Sequence, residues 1–253
     1  MPVLAHLAEI RKRLIGCFVV GFVVFLLCSY FSKELFYLLA LPLSRALHQQ
    51  VTIVFGKPEE AFMVFVKTAF VSALFISSPF FAHQIWLFVK PALAPKGKTI
   101  GTLFVVLSFV LFLLGGTFCY LLILPPTYKF LLHITQESSG LFDRFLSGFG
   151  HLTLTPQLRM DEYFDFTLGS LVLFGIVFEL PLVLSILCKL GITSPKKLWK
   201  MNRYALLVFA FVGAIATPGD IIISQLAMTG ALMLLYNLSL LVVYLTTPKK
   251  DVQ

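Results

Sequence analysis

Charge is scarce in this chain. Only 13% of its 253 residues are Asp, Glu, Lys or Arg, against about 25% in soluble domains. A fold so poor in charge has too little polar surface to meet water on all sides, which excludes an ordinary soluble globule and calls for lipid as part of the solvent. Cysteine is also sparse. Cys17, Cys28, Cys119 and Cys188 each lie inside an apolar run and none forms a C-x-x-C pair, so a disulfide framework is not expected and the thiols act as small hydrophobes. The histidines (His6, His48, His83, His133 and His151) have no ligand spacing. H-E-x-x-H and G-x-S-x-G are missing; no metal, cofactor or catalytic centre is expected, and the chain does not read as an enzyme. Gly97-Lys98-Thr99 has the ending of a phosphate loop, but that pattern needs glycine at position 92, where Ala92 stands. Low-complexity segments and an internal repeat are lacking, and the missing repeat weakens an inverted-repeat transporter. No cleavable leader is expected either. Leu14–Phe31 follows a basic start but runs through 18 apolar or small residues without an A-x-A-like exit, and reads as a retained span. The missing Arg- and Ser-rich transit peptide argues against import into an organelle.

What the chain has is hydrophobic length: 58% apolar residues, with 27 Phe. A span needs roughly 20 apolar residues to cross a core about 30 Å thick. Six segments are candidates: 14–31, 68–88, 100–124, 166–187, 204–216 and 221–245. The expectation is a single all-α polytopic membrane domain over residues 1–253, with long external connections at 32–67 and 125–165. The fifth segment is short. At 1.5 Å per residue it rises only about 20 Å, so the bilayer thins beside it or its neighbours shield it.

The net charge of +8 does not mark a nucleic-acid surface, because the basic residues sit at the ends of apolar runs. Six crossings put the N-terminus, the connections after spans two and four, and the tail on one side. These stretches hold 13 of the 20 Lys and Arg residues and, of the acids, only Glu9 and Asp251. Glu34, Glu59, Glu60, Glu137, Asp143, Asp161, Glu162 and Asp165 fall on the other side. The positive-inside rule then places both termini in the cytoplasm.

Several residues stand out against this background. On a helix, Leu4, Leu7, Ile10 and Leu14 share one face and Arg11 falls inside it, which predicts that Arg11 snorkels or pairs within the protein while Glu9 faces the cytosol. Spacing alone favours a plain i,i+4 surface pair between Glu9 and Arg13. Glu179 lies in the middle of the fourth span, in FGIVFELP. A carboxyl at that depth costs roughly 2.5–3.5 kcal/mol on insertion scales and is a functional candidate by default; the competing reading is a structural hydrogen bond to a neighbouring helix. Pro181 removes a helical N–H and frees the carbonyl of Val177, making a polar notch with Glu179. Pro79 kinks span two, where Ser77 and Ser78 are placed to satisfy freed backbone. Gly115 and Gly116 permit close helix approach. Asp220 reads as the cap of the sixth helix.

Taken in order, HLAEIRKRL, Leu41-Pro42, QIWLFVKPAL, FGIVFELPLVL, GITSPKKL and ATPGD followed by Ser224-Gln225 resemble the signature blocks of the TatC family, the multispanning core of the twin-arginine protein translocase. The resemblance covers most of the chain. It implies a glove-shaped six-helix bundle with both ends inside the bacterial cytoplasmic membrane. It also implies a receptor for folded cargo with Arg-Arg signal peptides, single-span TatA and TatB partners, several copies per complex, and a proton gradient as driving force. By motif position, Glu9 matches the acid that contacts the signal's arginines, Arg11 a required N-terminal arginine, and Phe88 the aromatic at the signal site. Pro42 falls in the sensitive first external loop, Glu179 matches the intramembrane glutamate beside Pro181, and Asp220 and Gln225 match the polar start of helix six. Three departures stand out. Gly97 occupies the position of a common second acid. Asn237 stands where an acid is often found. The turn from Asp220 to Ser224-Gln225 is one residue longer than usual, which swings the start of helix six by about 100° if absorbed within it. The competing function weighed against this is a proton-coupled small-solute carrier with Glu179 as proton site.

Overall fold

The computed structural model describes residues 2–46, 53–54, 56–90, 98–129, 158–216 and 222–246. Its helices are α1 (Pro2–Tyr30), α2 (Ser32–Ala46), α3 (Pro58–Val89), α4 (Lys98–Phe118), α5 (Met160–Phe178), α6 (Leu180–Lys189), α7 (Pro195–Lys200), α8 (Asn202–Ala216) and α9 (Ile222–Thr246). A π-helical turn, Cys119–Ile123, prolongs α4, and helix continues to residue 129. Two two-residue strands, β1 (Ile53–Val54) and β2 (Leu158–Arg159), pair in parallel.

Five helical stretches are long and apolar enough to cross a membrane: α1 from Ala8, α3, α4 with its extension, α5 joined to α6, and α9 from Met228. α8 is a shorter apolar helix. Together they are the six crossings of an all-α membrane bundle. α1 packs on α3, α3 on α4, α4 on α5, and α9 closes the other side against α5, α6 and α8. Leu14, Phe18, Phe22 and Leu26 on α1, and Leu207, Phe211 and Ile215 on α8, project outward, as residues do where lipid replaces water.

This outward apolar face corrects the expected rotation of α1. Leu14 is 64% exposed and Arg11 is exposed, whereas the Arg13 side chain is only 19% exposed. The inner face carries Arg13, Cys17, Gly21 and Cys28; Gly21 lies against Phe81, and Cys28 clusters with Ala69 and Ala73. Lipid tails are as apolar as leucine, so the most hydrophobic stripe gains nothing by turning inward, and small residues take the contact instead.

Two connections hold more helix than expected. α2 turns Pro42 from a loop residue into a helical one. The third crossing runs past Pro125 and Pro126 to residue 129, because the π turn shifts pairing by one residue: the Leu124 N–H donates to the Cys119 carbonyl. α2 is held at this end by Phe36 stacked on Phe164, ring centres 4.5 Å apart, and by the Tyr163 hydroxyl donating to the Leu39 carbonyl at 3.1 Å. Arg159 bridges Glu60 (3.1 Å) and Asp161 (3.3 Å), and Lys67 Nζ meets Asp165 at 2.5 Å. Asp161 and then Glu60 hold the Arg159 guanidinium above its ordinary pKa.

Candidate functional site

The sharpest polar feature is built where α5 ends. Pro181 cannot donate the N–H that the Val177 carbonyl would accept, and the helix breaks two residues earlier. The Glu179 N–H turns back to Ile176 O at 3.1 Å, and α6 restarts with the N–H groups of Leu182 and Val183 on the Glu179 carbonyl. The break projects the Glu179 side chain towards α4, where Ser108 Oγ donates to Glu179 Oε1 at 2.8 Å. Ser108 is buried and Glu179 half-buried. Among the described residues, no other protein donor reaches the second carboxylate oxygen.

This bond depends on close helix approach. A Cβ on Gly115 would sit 2.9 Å from the Gly175 Cα and 2.9 Å from the Phe178 Cβ, and one on Gly175 would sit 2.8 Å from the Phe112 ring. Glycine at these positions lets α4 and α5 meet backbone to backbone about one turn before the Glu179 break. Pro79 is accommodated as its flanking serines suggested: Ser78 Oγ donates to Phe75 O at 2.7 Å, the carbonyl that Pro79 leaves without its helical donor. Ser77 donates in the same way to Ala73 O.

A second group of expected site residues lies at the end carrying the chain's basic residues. The antiparallel packing of α1 on α3 brings Glu9 and Phe88 to this same end. Glu9 pairs with Arg13 four residues on, yet its side chain remains 53% exposed. Phe88 is 44% exposed and Arg11 is exposed. Glu9, Arg11 and Phe88 thus lie towards one end of the molecule, while Glu179 with Pro181 lies within the fourth crossing. Gly97, where the resemblance leads us to expect a second acid, lies outside the described residues.

Gln225 is not near either group. Its Nε2 donates to Ala210 O at 3.2 Å, tying α9 to α8 beside Gly213 and Thr229. Asp220 lies outside the described residues, and of Pro42 only the helical backbone is described. Asn237 accepts from Asn202 Nδ2 at 3.2 Å and donates to Met233 O at 2.9 Å, so this amide pins the start of α8 to α9. Sequence reasoning missed Ser108 and Asn202. A lone hydroxyl in LFVVLSFVLF is the signal for the first; Asn202 gives none, since it stands at a helix start where asparagine is common.

Comparison with known proteins agrees with this architecture. Residues 5–230 match the family model described as Sec-independent protein translocase protein (TatC). The Sec-independent protein translocase protein TatC of Aquifex aeolicus is 34% identical, over 99% of this chain and 98% of its own. That of Koribacter versatilis is 32% identical, over 98% and 87%, and that of Escherichia coli K12 30% identical, over 87% and 80%. A crystal structure of the twin-arginine translocase receptor TatC superposes with a TM-score of 0.82 at 32% identity, covering 96% of this chain and all of the other. On six crossings in this order, at this identity over nearly the whole length, the chain belongs to the TatC family.

Proposed function

We propose that this protein is the receptor-bearing core of a twin-arginine translocase. It sits in the bacterial cytoplasmic membrane with both termini in the cytoplasm, receives the Arg-Arg signal peptides of folded proteins, and gathers single-span TatA and TatB partners, in several copies, for export driven by the proton gradient. The observation that carries this reading is the exposed carboxylate of Glu9 at the same, basic end as exposed Phe88. A carboxylate offers about four acceptor sites, so Glu9 can keep Arg13 and still take a guanidinium from a signal, and an aromatic ring at the same end suits the signal's apolar stretch. The positive charge of this end supports its cytoplasmic placement. Glu179 serves a different part of the cycle: its unshared oxygen, in a half-buried notch at membrane depth, suits a polar group on an incoming helix.

Site-specific photo-crosslinking tests the reading. A probe at position 9 is expected to capture the signal peptide around its two arginines, and a probe at position 179 a partner helix or the signal's apolar segment. A protein that captures no signal peptide from position 9, and instead binds a small metabolite in a pH-dependent way, would be a carrier.

A further inference from the structure

A cleft of about 520 Å³ opens at the basic end, lined by neither Glu9 nor Glu179. Lys196, Trp199 and Lys200 on α7 form one wall, and Leu240, Leu241 and Tyr244 on α9 the other. α7 is fixed as that wall: Leu198 is buried among Tyr236, Leu240 and Val243, and the Tyr236 hydroxyl donates to the Leu198 carbonyl at 3.2 Å. Ser194 caps the short helix by accepting from the Lys197 N–H. The upper rim is cationic and the wall below it apolar. Lys196 and Lys200 lie four residues apart on one helical face, an arrangement of like charges that costs stability unless an anion sits between them. Among the described residues no carboxylate pairs with either lysine. Trp199 is 64% exposed and Tyr244 65% exposed, and amphipathic rings of this kind settle at the headgroup level of a bilayer.

We infer that the cleft between α7 and the last turns of α9 binds an acidic phospholipid of the adjoining leaflet, its phosphate between Lys196 and Lys200 and an acyl chain along Leu240 and Leu241. The cleft's volume falls within the range of ligand sites, and basic pockets beside membrane helices suit lipid headgroups. A free phosphate ion would use the rim and leave the apolar wall bare. An apolar helix would use the wall and leave two lysines without a counter-charge. Only a molecule with an anionic head and a hydrocarbon tail meets both halves.

Trp199 is one of two tryptophans, and the other, Trp86, is buried, so the site carries its own reporter. The whole protein is placed in lipid nanodiscs with acyl-brominated phosphatidylglycerol or, at the same mole fraction, acyl-brominated phosphatidylcholine, and tryptophan quenching is read. The expected result is stronger quenching by the phosphatidylglycerol. That preference falls at least about fivefold in K196Q/K200Q, survives in K197Q, whose lysine does not line the cleft, and is unmoved by excess inorganic phosphate. Equal quenching of the unmodified protein by both lipids would overturn the inference without any variant. A loss in K197Q as large as in the double variant would reduce it to diffuse surface attraction, and displacement by inorganic phosphate would make the site a plain anion site.

Discussion

At the scale of single residues, Glu179 separates two roles by the replacement it tolerates. Ser108 donates to its carboxylate at 2.8 Å, and an amide oxygen can accept the same bond, whereas leucine cannot. Glu179→Gln is therefore expected to retain most export activity and Glu179→Leu to lose most of it, read as cargo reaching the far side of the membrane. Equal loss in both would point instead to a required charge or proton. Glu9 is the converse case. Under the proposed receptor role Glu9 takes the signal's arginines with no second acid at position 97, where Gly97 stands, and so with little help. The neighbouring arginines show what single-residue reasoning missed. Periodicity placed Arg11 inside an apolar face, but that face meets lipid, and Arg13 is the one turned inward. Hydrophobicity says which residues leave water. It does not say whether they meet lipid or protein.

At the scale of elements, the α4–α5 contact holds the Glu179 notch in shape. Gly115→Val brings side-chain atoms into space already held by Gly175 and Phe178 and is expected to destabilise by roughly 1–3 kcal/mol, lowering the unfolding temperature in detergent. Gly169→Ala has open space around the new Cβ and serves as the control; an unchanged transition in Gly115→Val would refute the close approach. Gly115 was legible in the sequence because a Gly-Gly pair with Gly116 in an apolar span has few other uses; Gly175, a lone glycine, was not. The limits of the third crossing were not. Pro125 and Pro126 read as a stop, and only the π turn over Cys119–Ile123 explains how helix continues past them. α2 was hidden for a related reason: Pro42 signals a break, yet the helix around it draws support from Phe164 and Tyr163, 120 residues or so away in the chain.

At the scale of the whole molecule, the six crossings were visible in advance because a bilayer demands long apolar runs and punishes interruptions. Their inequality was visible too. α8, at 15 residues, rises roughly 22 Å, short of a hydrocarbon core of about 30 Å. Spin labels at Tyr204 and Ile215 are expected to report headgroup depth at both ends, which requires a locally thinned bilayer; a label at core depth would mean a bilayer of full thickness beside α8. The proposed receptor role rests on Glu9 as the recognition carboxylate, and the most direct measurement is equilibrium binding of a labelled Arg-Arg signal peptide to the intact protein in nanodiscs, with a Lys-Lys peptide and Glu9→Ala as comparisons. Tight binding of the Arg-Arg peptide alone is expected, with at least a tenfold loss in Glu9→Ala, about 1.4 kcal/mol. Equal binding of both peptides, or an unchanged affinity in Glu9→Ala, would contradict it.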